Sequence, residues 1–320
     1  MFAPHPQYDS ISGSKPARMS LPHGLIRSCR RPAGRGRWLW LLALLALPGC
    51  VPAQKQQQPL PAAFTRTLLQ EAPPRYLLEW RVRGNSNLRV LVELPADQPK
   101  AGLVLFAGDN GNLELQADGR IGNLTGNFLI RSSNIFLQQG MAVLMIDLPS
   151  DVSPQSSDNY RTSRNAADDT ALVVDYIHKT LGIPAVLVGT SRGTISAANG
   201  AARLETGGAN ALVLTSSVLR NGKKGRGSIF EANLSAIRQP TLVVHNQQDG
   251  CDVCPYGSVP GLLKALSGAS RKDLVTLSAD GGAGAPCGAS SAHGYFGIEN
   301  QAVTGICSWI KQVVIKGETP

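Results

Sequence analysis

The stretch VLVGTSRGTIS (residues 186–196) decides how this chain is read. An apolar run ends at Gly189, a serine follows two residues later, and Gly193 follows that serine by two. One reading is an ordinary strand that turns into a helix, with Ser191 as the helix N-cap. The other is a turn of the form G-x-S-x-G that holds the Ser191 hydroxyl out of the fold as a nucleophile, with Gly189 and Gly193 letting strand and helix pack closely. A serine hydroxyl needs a base to take its proton, so the rest of the chain has to decide.

The flanking segments alternate between the two periodicities. PAVLVGT (184–190) reads as a buried strand, and a small-residue helix follows from Ser191 to about Leu204. Upstream, 76–84 and 88–96 read as antiparallel opening strands around a turn at 85–87. The continuous apolar runs 101–109 and 141–149 suit strands buried on both faces. Helices are expected over 127–140, stopped by Gly140, and over 165–182, with acids in the first turn and a terminal glycine. Strands follow at 211–219, 241–248 and 273–279, and a helix over 297–314 closes the chain. This alternation predicts an α/β protein: one doubly wound, mostly parallel sheet flanked by helices, with antiparallel strands at its start. Reactive groups in such sheets gather at the carboxyl ends of the strands.

Five histidines are candidates for the base. His5 and His23 fall in the N-terminal leader described below. His178 sits late in the helix before the serine strand, which puts it at the opposite end of the sheet. His245 stands at the right rim but on a strand, and is read as a supporting residue. His293, in the loop between the last strand and the last helix, can be lowered onto Ser191 and is taken as the base. The carboxylate that orients it is Asp249, just past a strand end, with Asp252 as the runner-up. Oxyanion donors are expected from the backbone N–H of Arg192 and from that of Asp109, with Asn110 as an alternative to the latter. Asp147 and Asp151 are read as loop-fixing or pocket-lining.

Residues 1–49 carry Lys15, Arg18, Arg27, Arg30, Arg31, Arg35 and Arg37 against Asp9 alone, which leaves 24 basic and 21 acidic residues in 50–320. The overall charge of +9 is therefore mostly a property of the leader, and the body has no basic stripe for nucleic acid. A basic stretch, an apolar run over 38–47 and the ending Leu47-Pro48-Gly49-Cys50 resemble the signal peptide and lipobox of bacterial lipoproteins. Ten apolar residues are too few to span a bilayer, which takes about 20. That resemblance implies lipid on Cys50, removal of 1–49 and anchoring in the cell envelope, at the periplasmic face and on the outer membrane. Met19 offers an alternative start that would leave 1–18 untranslated. Residues 50–74 read as a flexible tether, 75–316 as the folded domain and 317–320 as a tail.

Four cysteines remain in the body, Cys251, Cys254, Cys287 and Cys307, and suit two disulfides with three possible pairings. Neither a second CxxC for zinc nor a redox-protein context accompanies Cys251-x-x-Cys254. No metal cluster, dinucleotide glycine pattern or P-loop is present, so neither metal nor cofactor is implied. Between 219 and 241 there is room for only a minimal lid, which carries Lys223, Lys224 and Arg226. These cations are read as a solvated loop, with a preference for anionic substrates as the alternative.

Over roughly residues 76–314 the chain resembles the α/β-hydrolase superfamily, whose nucleophile, acid and histidine follow in the order Ser191, Asp249, His293. VVHNQQDGC (243–251), the segments around Cys287 and AHGYFGIE (292–299), FAGDNGNLEL (106–115) and GNFLIRS (126–132) look like a subgroup of small, often exported bacterial hydrolases. The similarity implies a Cys251–Cys287 disulfide bracing the acid and histidine loops, which leaves Cys254–Cys307 as the second pair. The function expected is hydrolysis of a small-molecule carboxylic ester through an acyl-serine. The alternatives are a peptidase or thioesterase on the same three residues, or a non-catalytic envelope lipoprotein on the same scaffold.

Overall fold

The computed structural model describes residues 8–10, 63–204, 208–222 and 227–316. Most of the leader, Cys50, Lys223, Lys224, Arg226 and the tail 317–320 lie outside the described residues. No helix among those described is long and apolar enough to cross a membrane.

Nine strands form one sheet. They are β2 (Phe64–Gln70), β3 (Arg75–Arg83), β4 (Ser86–Glu93), β5 (Gly102–Phe106), β6 (Ala142–Ile146), β7 (Ala185–Thr190), β8 (Ala211–Thr215), β9 (Thr241–Asn246) and β10 (Lys272–Leu277). Their order is β10-β9-β8-β7-β5-β6-β4-β3-β2, and a three-residue strand, β1 (Tyr8–Ser10), adds antiparallel to the β10 edge. All pairs from β10 through β6 are parallel, and β6, β4, β3 and β2 run as antiparallel neighbours.

Strands β5 to β9 are wholly buried because helices cover both faces, as their continuous apolar sequences require. Along β7, alternate side chains part to the two sides: Leu187 joins one apolar cluster, Val186 and Val188 the other. The first cluster includes α4 (Arg164–Tyr176), α5 (Gly193–Arg203) and α6 (Val259–Ala265). The second includes α1 (Phe128–Arg131), α2 (Ser133–Gln138) and α7 (Glu299–Ile310). Leu187 and Val188 are fully buried, and each such aliphatic side chain stabilises the fold by about 1.5–3 kcal/mol. A short helix, α3 (Ser157–Arg161), lies between β6 and α4.

Three expectations need correction. Phe64–Gln70 were assigned to the tether but form β2, the outer strand of the antiparallel end. An edge strand exposed on both faces needs only backbone pairing, so its sequence shows no apolar alternation. Phe64 does pack its ring 5.2 Å from Trp80 and 5.5 Å from Tyr176. The helix expected over 127–140 is broken at Ser132, whose backbone leaves the helical range (φ −94°, ψ 4°). Cys254 and Cys307 are both free and buried, so the second disulfide does not form. Cys307 sits in α7 among the apolar side chains under the sheet, where burial pushes its thiol up to about 12.

Candidate active site

The serine turn is built as the glycines demand. Ser191 follows β7 directly with φ +52°, a left-handed conformation costly for a residue with a Cβ. A Cβ on Gly189 would lie 2.5 Å from the carbonyl oxygen of Gly193, and one on Gly193 would lie 2.0 Å from that of Phe106. No side chain fits at either position, because helix α5 enters the sheet there in contact with two strands. Thr194 locks the turn by donating from its N–H (3.0 Å) and its hydroxyl (2.6 Å) to the Ser191 carbonyl.

The loop after β5 runs past the serine. A Cβ on Gly108 would lie 3.0 Å from Ser191 Cβ, and Asp109 has φ +47°. Arg161, nearly fully buried, fixes this loop from behind. Its guanidinium donates to the carbonyls of Ala107 (3.3 Å) and Asp109 (3.0 Å) and to Ser196 Oγ (2.8 Å). With both carbonyls turned back to Arg161, the loop can offer N–H groups to the cavity in front of Ser191. Arg192 directs its guanidinium to Asp158 (Nε to Oδ1, 2.7 Å), leaving its backbone at the N-terminus of α5, where N–H groups lack intrahelical acceptors.

Asp249 and His293 meet on the neighbouring loops. His293 Nδ1 donates to Asp249 Oδ2 at 2.9 Å, and both residues are buried. The other Asp249 oxygen accepts the Cys251 N–H at 3.0 Å. His245, on β9, approaches the same Asp249 oxygen as His293 does. Its Nε2 donates to the Cys254 carbonyl at 2.8 Å and stands 3.4 Å from Asp249 Oδ2. Burial works to raise the Asp249 pKa, but these hydrogen bonds outweigh it and hold the carboxyl below its ordinary value. Asp252, the runner-up acid, is exposed and lies beside Cys287, with Oδ1 3.8 Å from Sγ, rather than at His293.

The Cys251–Cys287 disulfide joins the loop carrying Asp249 to the loop carrying His293, with Cα atoms 4.5 Å apart. The histidine loop has further ties. Tyr295, with φ +56°, donates its hydroxyl to Val244 O (2.8 Å) and accepts Ser216 N–H (3.0 Å). Ser216 Oγ donates to His293 O at 2.8 Å, and Arg131 donates to Gly294 O at 2.6 Å while pairing with Glu299.

Ser191 and His293 line one open cavity of about 750 Å³, together with Asp109, Asn127, Phe128, Val218 and Asp252 among others. No hydrogen bond joins Ser191 to His293 among the described residues; the Cys254 thiol lies against Ser191 instead. Such contacts commonly tighten only when substrate binds. Asp147 fixes the loop in front of β5, accepting from the N–H groups of Leu113 (2.6 Å) and Leu115 (2.7 Å). Asp151 is held by Arg83 and Ser86 away from the cavity. His178 pairs with Asn210, outside the cavity.

The sequence reading missed Arg161, Tyr295 and Ser216. Arg161 stands in a polar segment that carries no local signal of its contacts. Tyr295 carried a usable signal, an aromatic two residues after the histidine. Ser216 carried none, because its role depends on β8 ending opposite the histidine loop.

No protein-family model matches the chain, and no curated protein matches it. Solved structures do. A zinc-bound cold-adapted esterase from an Arctic intertidal metagenomic library superposes with a TM-score of 0.53 at 13% identity, over 78% of this chain and 98% of that one. A dienelactone hydrolase from Anabaena variabilis gives 0.51 at 16% identity, over 74% and 96%. An esterase from Pyrococcus furiosus gives 0.51 at 10% identity, over 78% and 92%.

Proposed function

The chain has the α/β-hydrolase fold, and from that premise we propose that it is a serine hydrolase of carboxylic esters, working through an acyl-enzyme on Ser191. The observation that carries the reading is Ser191 held at φ +52° over a cavity it shares with His293, whose Nδ1 is bound to buried Asp249. In this reading Nε2 of His293 takes the Ser191 proton as Oγ attacks the ester carbonyl, and Asp249 stabilises the imidazolium that forms. The N–H groups of Arg192 and Asp109 receive the oxyanion. His293 then passes its proton to the leaving alcohol, and water repeats the sequence in reverse to free the acid.

The walls of the cavity disfavour an anionic ester. Among the described lining residues, Asp109 and Asp252 bring negative charge, while the Arg192 guanidinium is already paired with Asp158. A fluorophosphonate probe tests the reaction class. It should label the folded protein at Ser191 and leave Ser191→Ala unlabelled; labelling that survives the substitution removes the reading. p-Nitrophenyl esters of graded acyl length then define the acyl group.

The Leu47-Pro48-Gly49-Cys50 motif supports lipid anchoring outside the cytoplasm, and a disulfide at the site suits an oxidising compartment. Labelled fatty acid should enter the protein in a bacterial host and be lost in Cys50→Ser.

A further inference from the structure

Three sulfur atoms, rather than two, meet beside the nucleophile. Cys254 Sγ lies within 4.8 Å of Cys251 Sγ, one half of the disulfide, and both lie within that distance of a ring nitrogen of His293. Cys254 is free and fully buried. A thiol held against a disulfide sulfur is the arrangement that precedes thiol–disulfide exchange.

We propose that Cys254 exchanges with the Cys251–Cys287 disulfide, so that the brace between the acid and histidine loops can be moved into the acid loop alone. The thiol of Cys254 gives up its proton, and its sulfur bonds to Cys251 Sγ. The Cys251–Cys287 bond breaks, and its electron pair leaves on Cys287 Sγ, which takes a proton from water. One disulfide is broken and one is made, so no oxidant or reductant enters.

The backbone accommodates either partner. Cys287 is held with its Cα 4.5 Å from that of Cys251. Cys251 and Cys254 are the ends of a turn closed by a 2.9 Å bond from Cys254 N–H to Cys251 O. The ends of such turns lie under about 7 Å apart, which overlaps the range a disulfide spans. The leaving side is prepared as well. Cys287 is the exposed member of the three, so its thiolate departs into water, which screens it from the Asp252 carboxylate 3.8 Å away and gives it a proton.

The charges around Cys254 set the pH dependence. Burial, reinforced by the negative charges of Asp249 and Asp252 and opposed by Arg192 and the contact with Ser191, pushes its thiol well above the ordinary value. Only the thiolate attacks, so exchange is slow at neutral pH and rises about tenfold per pH unit. After exchange the histidine loop keeps its contacts to Ser216, at the His293 carbonyl, and to Arg131, at the Gly294 carbonyl, but loses its covalent tie to the Asp249 loop. The loss of turnover that follows rests on the hydrolase reading; the exchange itself does not.

Mass mapping of the full chain tests the exchange without reference to catalysis. The protein is incubated with iodoacetamide and no added thiol at pH 7, 8 and 9, then digested with trypsin without reduction. Residues 239–264 carry Cys251 and Cys254 on one peptide, and residues 273–311 carry Cys287 together with the buried free Cys307, so fragment-ion sequencing assigns the label between these two. Exchange unlinks the two peptides, closes a disulfide within 239–264 and places the label on Cys287, with a yield rising about tenfold per pH unit in the wild-type chain. Cys254→Ser should keep the peptides linked and Cys287 unlabelled. Peptides that stay linked in the wild-type chain at every pH, or Cys287 labelling that is equal in Cys254→Ser, overturn the proposal. Fluorophosphonate labelling of Ser191 on the same samples reports separately on the hydrolase reading.

Discussion

His245 stands with Nε2 3.4 Å from Oδ2 of Asp249 while donating to the Cys254 carbonyl at 2.8 Å, so the oxygen that accepts from His293 has a second imidazole beside it. The carbonyl can only accept, which fixes the proton on Nε2 and leaves Nδ1 buried without a partner among the described residues. His245 is therefore a positioning residue for Asp249. His245→Phe should lower kcat about 10- to 100-fold, the worth of one hydrogen bond to a charged group, with KM nearly unchanged. Steady-state kinetics on a p-nitrophenyl ester separates the two constants, and a rise in KM alone would contradict the assignment.

Asp249 and Asp252 differ by three positions and should differ sharply in effect. In the proposed mechanism Asp249→Asn removes the charge that stabilises the imidazolium, and it should lower kcat by about 10⁴-fold. Asp252→Asn should leave kcat in the wild-type range, since its carboxylate faces Cys287 rather than His293. Equal losses in the two variants would show that the acid has been misplaced.

Gly193→Ala tests the serine turn as structure. The added Cβ falls 2.0 Å from the Phe106 carbonyl oxygen, and neither backbone can yield without moving β5 or α5. The expected loss of stability is about 3 kcal/mol, read from the denaturant midpoint. A variant as stable as the parent would mean that α5 enters at another angle.

Removing the disulfide by Cys251→Ser with Cys287→Ser opens a loop of 36 residues. The chain-entropy relation puts the loss near 4 kcal/mol. Under conditions where the double variant is still folded, kcat should fall further than the loss of folded protein accounts for, because the acid and histidine loops are no longer joined. Circular dichroism and ester turnover on the same sample make the comparison.

Acid should unfold the protein through carboxylates held low. Arg83 keeps Asp151 at about 2, with Ser86 adding a hydrogen bond, and Asp249 is also held below its ordinary value. Groups of this sign contribute stability that is fully present above the unfolded carboxylate pKa of about 4 and is lost as pH falls through the folded value. Asp147 runs the other way, because burial raises it and it protonates first in the folded state. Urea midpoints should fall between pH 4 and 2, and Asp151→Asn should flatten that slope.

Much of the sheet could be read from local pattern. Strands β5 to β9 announce themselves as apolar runs because both of their faces are covered, and Gly140 and Gly182 stop their helices with φ +81° and +68° as expected. The unread elements obey weaker local rules. β2 lies at an edge where no side chain must be buried, and the break at Ser132 leaves the apolar pattern on both sides intact.

The sequence by itself determined the order strand, Ser191, helix, and it confined the proposed acid and base, Asp249 and His293, to loops at the carboxyl ends of later strands. Steric rules operate over a few residues, so Gly189 and Gly193 declare the turn wherever it occurs. Only the tertiary structure decided which carboxylate faces His293, that Arg161 holds the Asp109 loop, and that Cys254 lies beside the disulfide instead of pairing with Cys307. The third sets a local turn, Cys251 to Cys254, against the Cys287 loop; the first two join residues brought together only by the folded sheet. Their distances in space bear no relation to their spacing along the chain.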